Sequence, residues 1–536
     1  MQSRSLAFAA LVSVALGSMA PRAEAFCGFY VSGSSEQLGN KATRVALMRY
    51  GQRTVLTMSN DYEGPPQDFA MVIPVPIVLQ QENVRTLPHD VFERIETLTA
   101  PRLVEYWEQN PCPTEREYYV DELRASPGVA VSRTTSESDS APPVDLGVRI
   151  ETRFSVGEYE VLVLSATQSS GLETWLRQNR YNIPNGAATV LAPYIREGMK
   201  FFVARVDIER ARAKPGGRRL SPLRFHYDTP EFRLPVRLGL LNARDKQDLI
   251  VYVLHPNSRV EVANIPNVFI PTNLDVDDSV RTRFGAFYNA LFDLTMNRMN
   301  GRAVVTEYAW ASTSSCDPCP GPNVTLTPDD MMTLGVDVID PSRSTFDRDG
   351  RFGRVQGGAI SRFAYGMTVT RLHTRYDATT LSEDLVFREA GAVFGGREIV
   401  TDPRTRQLEQ GAQPSPYGNN FQGRYAIRHL WEGPITCANP RRYVWGGPPS
   451  SHRGSPATPS AATDLASQPR TGADPRTLVR TDVPELGIRA ARPVAPSVTR
   501  SSTKSTFVRA SAAALSSACV LGATVALGRR RKRTPH

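Results

Sequence analysis

Apolar runs in this 536-residue chain are short and closed by turn residues, with 41 proline and 38 glycine spread along it. Long helices cannot propagate through that punctuation. The pattern excludes a coiled coil, a helical bundle and a polytopic membrane protein, and predicts a loop-rich, β-rich α+β fold. With 40% hydrophobic residues there is enough apolar material for one large core or two ordinary ones.

Stretches 45–48, 54–58 and 69–78 read as strands, the last holding Pro74 and Pro76, which suit an edge or a strand end. Stretches 87–98 and 103–107 carry helical spacing, and 125–143 is a Ser- and Pro-rich exposed loop. From Tyr159 the order is strand (159–164), helix (172–178), helix (187–196) and strand (200–206), a β-α-α-β unit. Pro215, Gly216 and Gly217 then mark a boundary. The expected division is an N-terminal α+β subdomain (26–213) and a C-terminal β-rich subdomain (214–445). In the second, 233–241, 248–254, 260–263, 368–372 and 385–387 are strand-like. Its amphipathic helix is 281–299, with Phe284, Tyr288, Leu291 and Leu294 at turn spacing.

Both ends read as addresses. Residues 1–25 combine Arg4, an apolar run over 6–16, and Ala23 and Ala25 around Glu24, the pattern of a signal peptide cleaved before Phe26. Cys27 does not read as a lipid-attachment site, because Phe26 stands where a small residue is required. Near the other end, 510–528 is uncharged and a basic tail (529–536) follows it. A helix of that length rises about 28 Å, just enough for a hydrocarbon core of about 30 Å, with the basic tail on the cytoplasmic side. The segment reads as a transmembrane helix or a sorting signal. Residues 446–509, rich in Pro, Ser, Thr, Ala and Arg without hydrophobic period, read as a disordered linker or stalk.

Charge follows the same division. The net charge is +9, but from Gly446 onward there are 14 Lys and Arg against 4 Asp and Glu, and the leader adds one more positive charge. The remaining body is close to neutral, which argues against a nucleic-acid partner.

Cys316-Asp317-Pro318-Cys319 is the sharpest local motif. Its spacing also occurs in thioredoxin-like oxidoreductases, where a helix N-terminus activates the first thiol. Here Pro320 and Pro322 follow and no βαβ pattern surrounds the pair, so a structural disulfide is favoured over thiol chemistry or metal ligation. Five cysteines lie outside the apolar terminus, Cys27, Cys112, Cys316, Cys319 and Cys437, and export makes each a disulfide candidate. Cys316 and Cys319 are expected to pair with each other or to reach Cys112 or Cys437. Asp275, Asp277 and Asp278 are weak calcium candidates, the alternative being capping of the following helix. Asp347-Arg348-Asp349-Gly350 lacks the first and last ligands of an EF-hand loop and reads as a turn. Trp431, Tyr443 and Trp445 near Cys437 are either a ligand platform or, more in keeping with aromatics closing a β domain, core or lid. The seven histidines form no metalloprotease motif, and neither a nucleophile elbow nor a P-loop is present. No cofactor is implied.

The runs Cys27-Gly28-Phe29-Tyr30-Val31, Arg53-Thr54-Val55-Leu56-Thr57-Met58 and Asp68-Phe69-Ala70-Met71-Val72-Ile73-Pro74-Val75-Pro76 resemble the bacterial family called domain of unknown function 2330. Ala100-Pro101-Arg102-Leu103-Val104-Glu105-Tyr106-Trp107, Phe232-Arg233-Leu234-Pro235-Val236-Arg237-Leu238-Gly239 and the Cys316–Cys319 motif fit it too, so the resemblance spans most of 26–445. It implies an exported envelope protein and transfers no activity, cofactor or site residue. The expectation is a single-pass, surface-facing envelope protein whose ectodomain binds or scaffolds an envelope polymer or another protein. The alternative is an exported thiol-active oxidoreductase using Cys316 and Cys319.

Overall fold

The first two expected strands form a hairpin, β1 (Gly39–Tyr50) and β2 (Arg53–Glu63), whose turn places Gly51 at φ +57°. Strand alternation sorts its side chains, Val45 and Leu47 entering one core and Ala46 and Met48 another. The next strand, β3 (Ala70–Val75), is wholly buried. Phe29–Val31 pairs with it only over Ala70–Val72, so on that side Pro74 lies past the end of the short partner, while on the other side it stands opposite Phe201.

A computed structural model describes residues 29–31, 39–63, 70–112, 146–179, 181, 183, 186–212, 220–242, 246–311, 325–339, 367–397, 400–402, 407–448 and 460–490, all within one unit ending at Ala490. The predicted signal peptide, the 125–143 loop, the boundary turn at 215–217, the Asp347–Gly350 turn and the segments 510–528 and 529–536 lie outside the described residues. So do Cys27, Cys316 and Cys319.

Helix α1 (Asp90–Thr99) overlaps the expected 87–98 stretch and runs one residue past it, but 103–107 is not helical: it is the centre of β4 (Arg102–Glu108). Five residues are too few to separate a period of 3.6 from one of 2. Alternation in fact governs them, Val104 and Tyr106 packing with Leu408 and Ala426 while Leu103 enters a different core. The β-α-α-β unit is present as β5 (Tyr159–Ala166), α2 (Ser169–Gln178), α3 (Ala187–Arg196) and β6 (Lys200–Val206). With β3, Phe29–Val31 and Val148–Val156 it builds a five-stranded antiparallel sheet. Leu172, Trp175 and Leu191 of the two helices cover one face of that sheet at Val72, Leu164 and Phe201. The other face packs Met71, Val163 and Phe202 against Val45, Leu47 and Leu56. Each such side chain contributes about 1.5–3 kcal/mol on burial.

An eleven-stranded sheet forms the next layer. It joins β1 and β2 to β7 (Leu223–Asp228) and β8 (Gln247–His255), with β1 and β8 parallel and Val45 opposite Val251. The expected subdomain boundary at 213/214 is therefore crossed by the ladder itself. The 233–241 strand shrinks to Arg233–Leu234 followed by a 3₁₀ turn, Arg237–Asn242. Pro235 removes a donor there, and the Asp384 carboxylate captures the Val236 N–H at 3.0 Å. The amphipathic helix is α4 (Phe284–Arg298), preceded by the 3₁₀ turn Asp278–Thr282. After it β9 (Val304–Ala311) and β10 (Thr368–Tyr376) extend the large sheet, and β11 (Arg424–His429) runs parallel to β4 in a separate sheet.

The expected disordered linker over 446–509 needs correction for 460–490, which forms an ordered arm. Ala462, Leu465, Leu478, Val483 and Ile488 are buried in the core around α4. Their spacing has no period because the arm is built of short turns, Leu465–Ser467, Pro475–Leu478 and Pro484–Leu486, each too brief to repeat, so no helix or strand template detects it.

Candidate functional site

The densest group of titratable side chains lies on one face of β10, where Arg371, His373 and Arg375 alternate. Opposite them, the β9–β10 register slips between Thr306 and Tyr308, so Glu307 is the extra residue of a bulge. Bulges re-aim side chains. The Glu307 carboxylate accepts from Arg371 Nε at 2.5 Å, from His373 Nδ1 at 2.7 Å and from the Tyr288 hydroxyl at 2.6 Å. On its other side the His373 imidazole reaches Asp248 Oδ1 through Nε2 at 3.1 Å. With a carboxylate on each ring nitrogen both must donate, so the ring is an imidazolium. Phe292 of α4 stacks on it with 4.0 Å between centroids.

Cations and anions balance across the cluster. Arg371 also reaches Glu96 of α1 at 3.3 Å, and Glu96 accepts from the Tyr252 hydroxyl. Arg470 of the arm holds Asp248 at 2.7 Å and Asp293 at 2.7 Å, and Arg375 holds Asp293 at 3.3 Å. Burial alone would raise the Glu307 carboxyl, but the His373 and Arg371 charges outweigh it and hold it at about 2. Burial alone would lower His373, yet Glu307 and Asp248 raise it. Arg371, His373 and Glu307 are each 0% exposed. The arrangement fixes the junction of α1, α4, the large sheet and the arm, and its groups are spent on one another.

A half-exposed group lies on the β4–β11 sheet. Arg281 grips Glu105 with two bonds of 2.7 and 2.6 Å, and His429 Nε2 lies 3.0 Å from the same carboxylate. Arg281 first, with His429 added, holds Glu105 below its usual range. The His429 ring stacks on Trp107 at 4.7 Å. Next to it the Cys112–Cys437 disulfide joins the end of β4 to the 430–446 segment, across 325 residues. The buried Glu108 carboxylate accepts from Arg442 Nε at 2.7 Å and from the backbone N–H of Tyr443 at 2.6 Å and Trp431 at 3.0 Å. One carboxylate thus organises the loop that carries Cys437.

Of the predicted site residues, Cys112 and Cys437 come together with each other. The expected alternative in which Cys316 or Cys319 reaches either of them is thereby corrected. Asp275 pairs with Arg428 and Asp277 with Arg480. Asp277 also caps the 278–282 turn, accepting from Ser279 N at 3.0 Å, and is held at about 2, chiefly by its Ser279 hydrogen bonds. Asp278 Oδ2 stands 3.7 Å from His429 Nδ1. The three carboxylates diverge onto separate partners, and among the described residues no group of three or more His, Cys, Asp or Glu could hold a metal ion. The aromatic trio is divided: Tyr443 is exposed, whereas Trp431 and Trp445 are half-buried, with Arg428 over the Trp445 ring at 5.2 Å. The sequence reading missed Glu96, Asp248, Glu307, Arg371 and His373. The alternation Arg371-x-His373-x-Arg375 in an apolar strand was the available signal.

A family model described as an uncharacterized protein conserved in bacteria (DUF2330) matches residues 21–388. The chain belongs to this family. The DUF2330 match takes in α1, α4, β8, β9 and β10, hence the network except Arg470. It stops inside the Leu385–Ala390 strand, short of the 445 limit that the sequence resemblance suggested. β11, Cys437 and the 460–490 arm lie beyond it. No curated protein and no solved structure matches the chain.

Among the described residues no helix is long and apolar enough to cross a membrane.

Proposed function

We propose that this chain is an exported, non-enzymatic binding or scaffolding protein of the bacterial envelope, held at the membrane or sorted to the surface by its C-terminal segment. The observation that carries this reading is the Cys112–Cys437 bond, a cross-link suited to an oxidising compartment. The distribution of side chains supports the binding role. The strongest acid–base array is buried and mutually neutralised, while Leu430, Ile435, Tyr443 and Val444, in the segment that carries Cys437, are each exposed apolar side chains. The partner class is an envelope polymer or another protein.

The thiol-active alternative keeps one supporting observation. With Cys112 and Cys437 joined to each other, neither is a partner for Cys316 or Cys319. Two measurements separate the readings. Protease added to spheroplasts is expected to digest the body, and protection of the body in spheroplasts, with digestion only after lysis of the inner membrane, would sink the export reading. Thiol titration of the native protein is expected to find Cys316 and Cys319 inert to mild reductant; ready exchange would favour the oxidoreductase.

A further inference from the structure

Helix α4 presents Gly285, Asn289 and Asp293 at four-residue spacing, one stripe along the helix. Each of the three meets the 460–490 arm. A Cβ at Gly285 would come within 2.6 Å of the Gln468 side chain, so the absence of one makes room for that glutamine. Asn289, 0% exposed, donates through Nδ2 to the main-chain carbonyls of Leu465 at 2.7 Å and Gln468 at 3.1 Å. Asp293, together with Asp248 of β8, takes the Arg470 guanidinium. Farther along, past the short turn Pro475–Leu478, a single antiparallel bridge joins Val479 to Val276, with Asp277 N donating to Leu478 O at 2.8 Å and Arg480 N to Asp275 O at 2.7 Å. Main-chain bonds combined with a few side-chain anchors are how a groove recognises a peptide segment. The helix lies inside the family match, and the arm that fills the groove lies outside it.

We propose that the α4 groove is a recognition site for a segment carrying the Leu465, Gln468 and Arg470 pattern around the 3₁₀ turn Leu465–Ser467, and that its partner in trans is the arm of a second copy of this chain. Every contact made in cis is available to the second copy's arm without change, and the charges are complementary, Arg470 and Arg480 on the arm facing Asp248, Asp293 and Asp277. Eleven residues (449–459) connect the arm to the preceding strand, a contour of about 36–40 Å. That length sets how near two bodies must come. The proposal rests on the binding reading above only in choosing a protein as partner, and it does not depend on the compartment.

The test inserts a specific protease site between Gly454 and Ser455 of the full chain, which is cut after folding. A fluorescent peptide spanning 460–490 is added and its anisotropy followed. The peptide is expected to replace the cut arm saturably, with Arg470→Ala in the peptide weakening binding about tenfold or more. Arg476→Ala is expected to leave binding unchanged, because among the described residues the ion pair of Arg476 is with Asp474 of the arm itself. Mixing cut and uncut chains is expected to give a species of doubled mass in sedimentation. The recognition site is overturned if the peptide fails to enter, if Arg470→Ala binds equally well, or if near-UV circular dichroism is lost once the arm leaves. Absence of the doubled mass overturns the second copy as partner. Protease protection in spheroplasts would remove the export reading and leave these outcomes untouched.

Discussion

Glu307 shows what one misaligned residue does. As the extra residue of a bulge it points its carboxylate at Arg371, His373 and Tyr288, three groups drawn from β10 and α4. Removing one member of a buried ion network leaves the others uncompensated, so Glu307→Gln is expected to destabilise the protein by about 3–5 kcal/mol in urea titration. Asp228→Asn, which breaks the exposed Arg53–Asp228 pair, is expected to cost about 0–1 kcal/mol. Equal effects would mean the network contributes no more than a surface pair. The pH dependence has two signs. His373, raised in the folded state, stabilises fully below its unfolded value, and that contribution is lost as pH rises through its folded value. Glu307, held at about 2, stabilises above its unfolded value and loses that contribution as pH falls toward 2. Melting temperature is therefore expected to decline as pH rises above the ordinary histidine value of about 6.5, and His373→Gln to flatten that slope. An unchanged slope in the variant would assign the decline elsewhere.

At the scale of elements, the β-α-α-β unit over 159–206 and the helix at 284–298 were legible because each has a period long enough to declare itself. β4 was not, since 103–107 fits a helical and an alternating template equally. Strand 233–241 was lost to Pro235 and the Asp384 carboxylate, a contact 148 residues away. The network was illegible for a similar reason: Glu96, Asp248, Glu307, Arg371 and His373 come from four elements, and only the alternation on β10 shows in the sequence. Legibility of the disulfide stopped at its candidates, because spacing carries no connectivity. Since Cys112–Cys437 ties the 430–446 segment to β4, Cys112→Ala is expected to lower stability by about 2–4 kcal/mol in urea titration of the oxidised protein. A smaller change would indicate that the Glu108 clasp already holds the segment.

For the molecule as a whole, the folded body does not end at Trp445. Arm residues complete the core around α4 and supply Arg470 to Asp248. A chain truncated after Trp445 is expected to stay folded yet melt on the order of 10 °C below one truncated after Ala490, from lost apolar burial and an unpaired aspartate. Equal melting temperatures would restore the reading of 460–490 as a passive linker. The same boundary shortens the expected stalk, which then begins after residue 490. Everything proposed about the envelope depends on the body being oxidised where it works. The direct measurement is mass spectrometry of protein from its native cells, alkylated before lysis and digested without reductant. The account predicts a cross-linked peptide pair carrying Cys112 and Cys437; both cysteines recovered as separate alkylated thiols would contradict it.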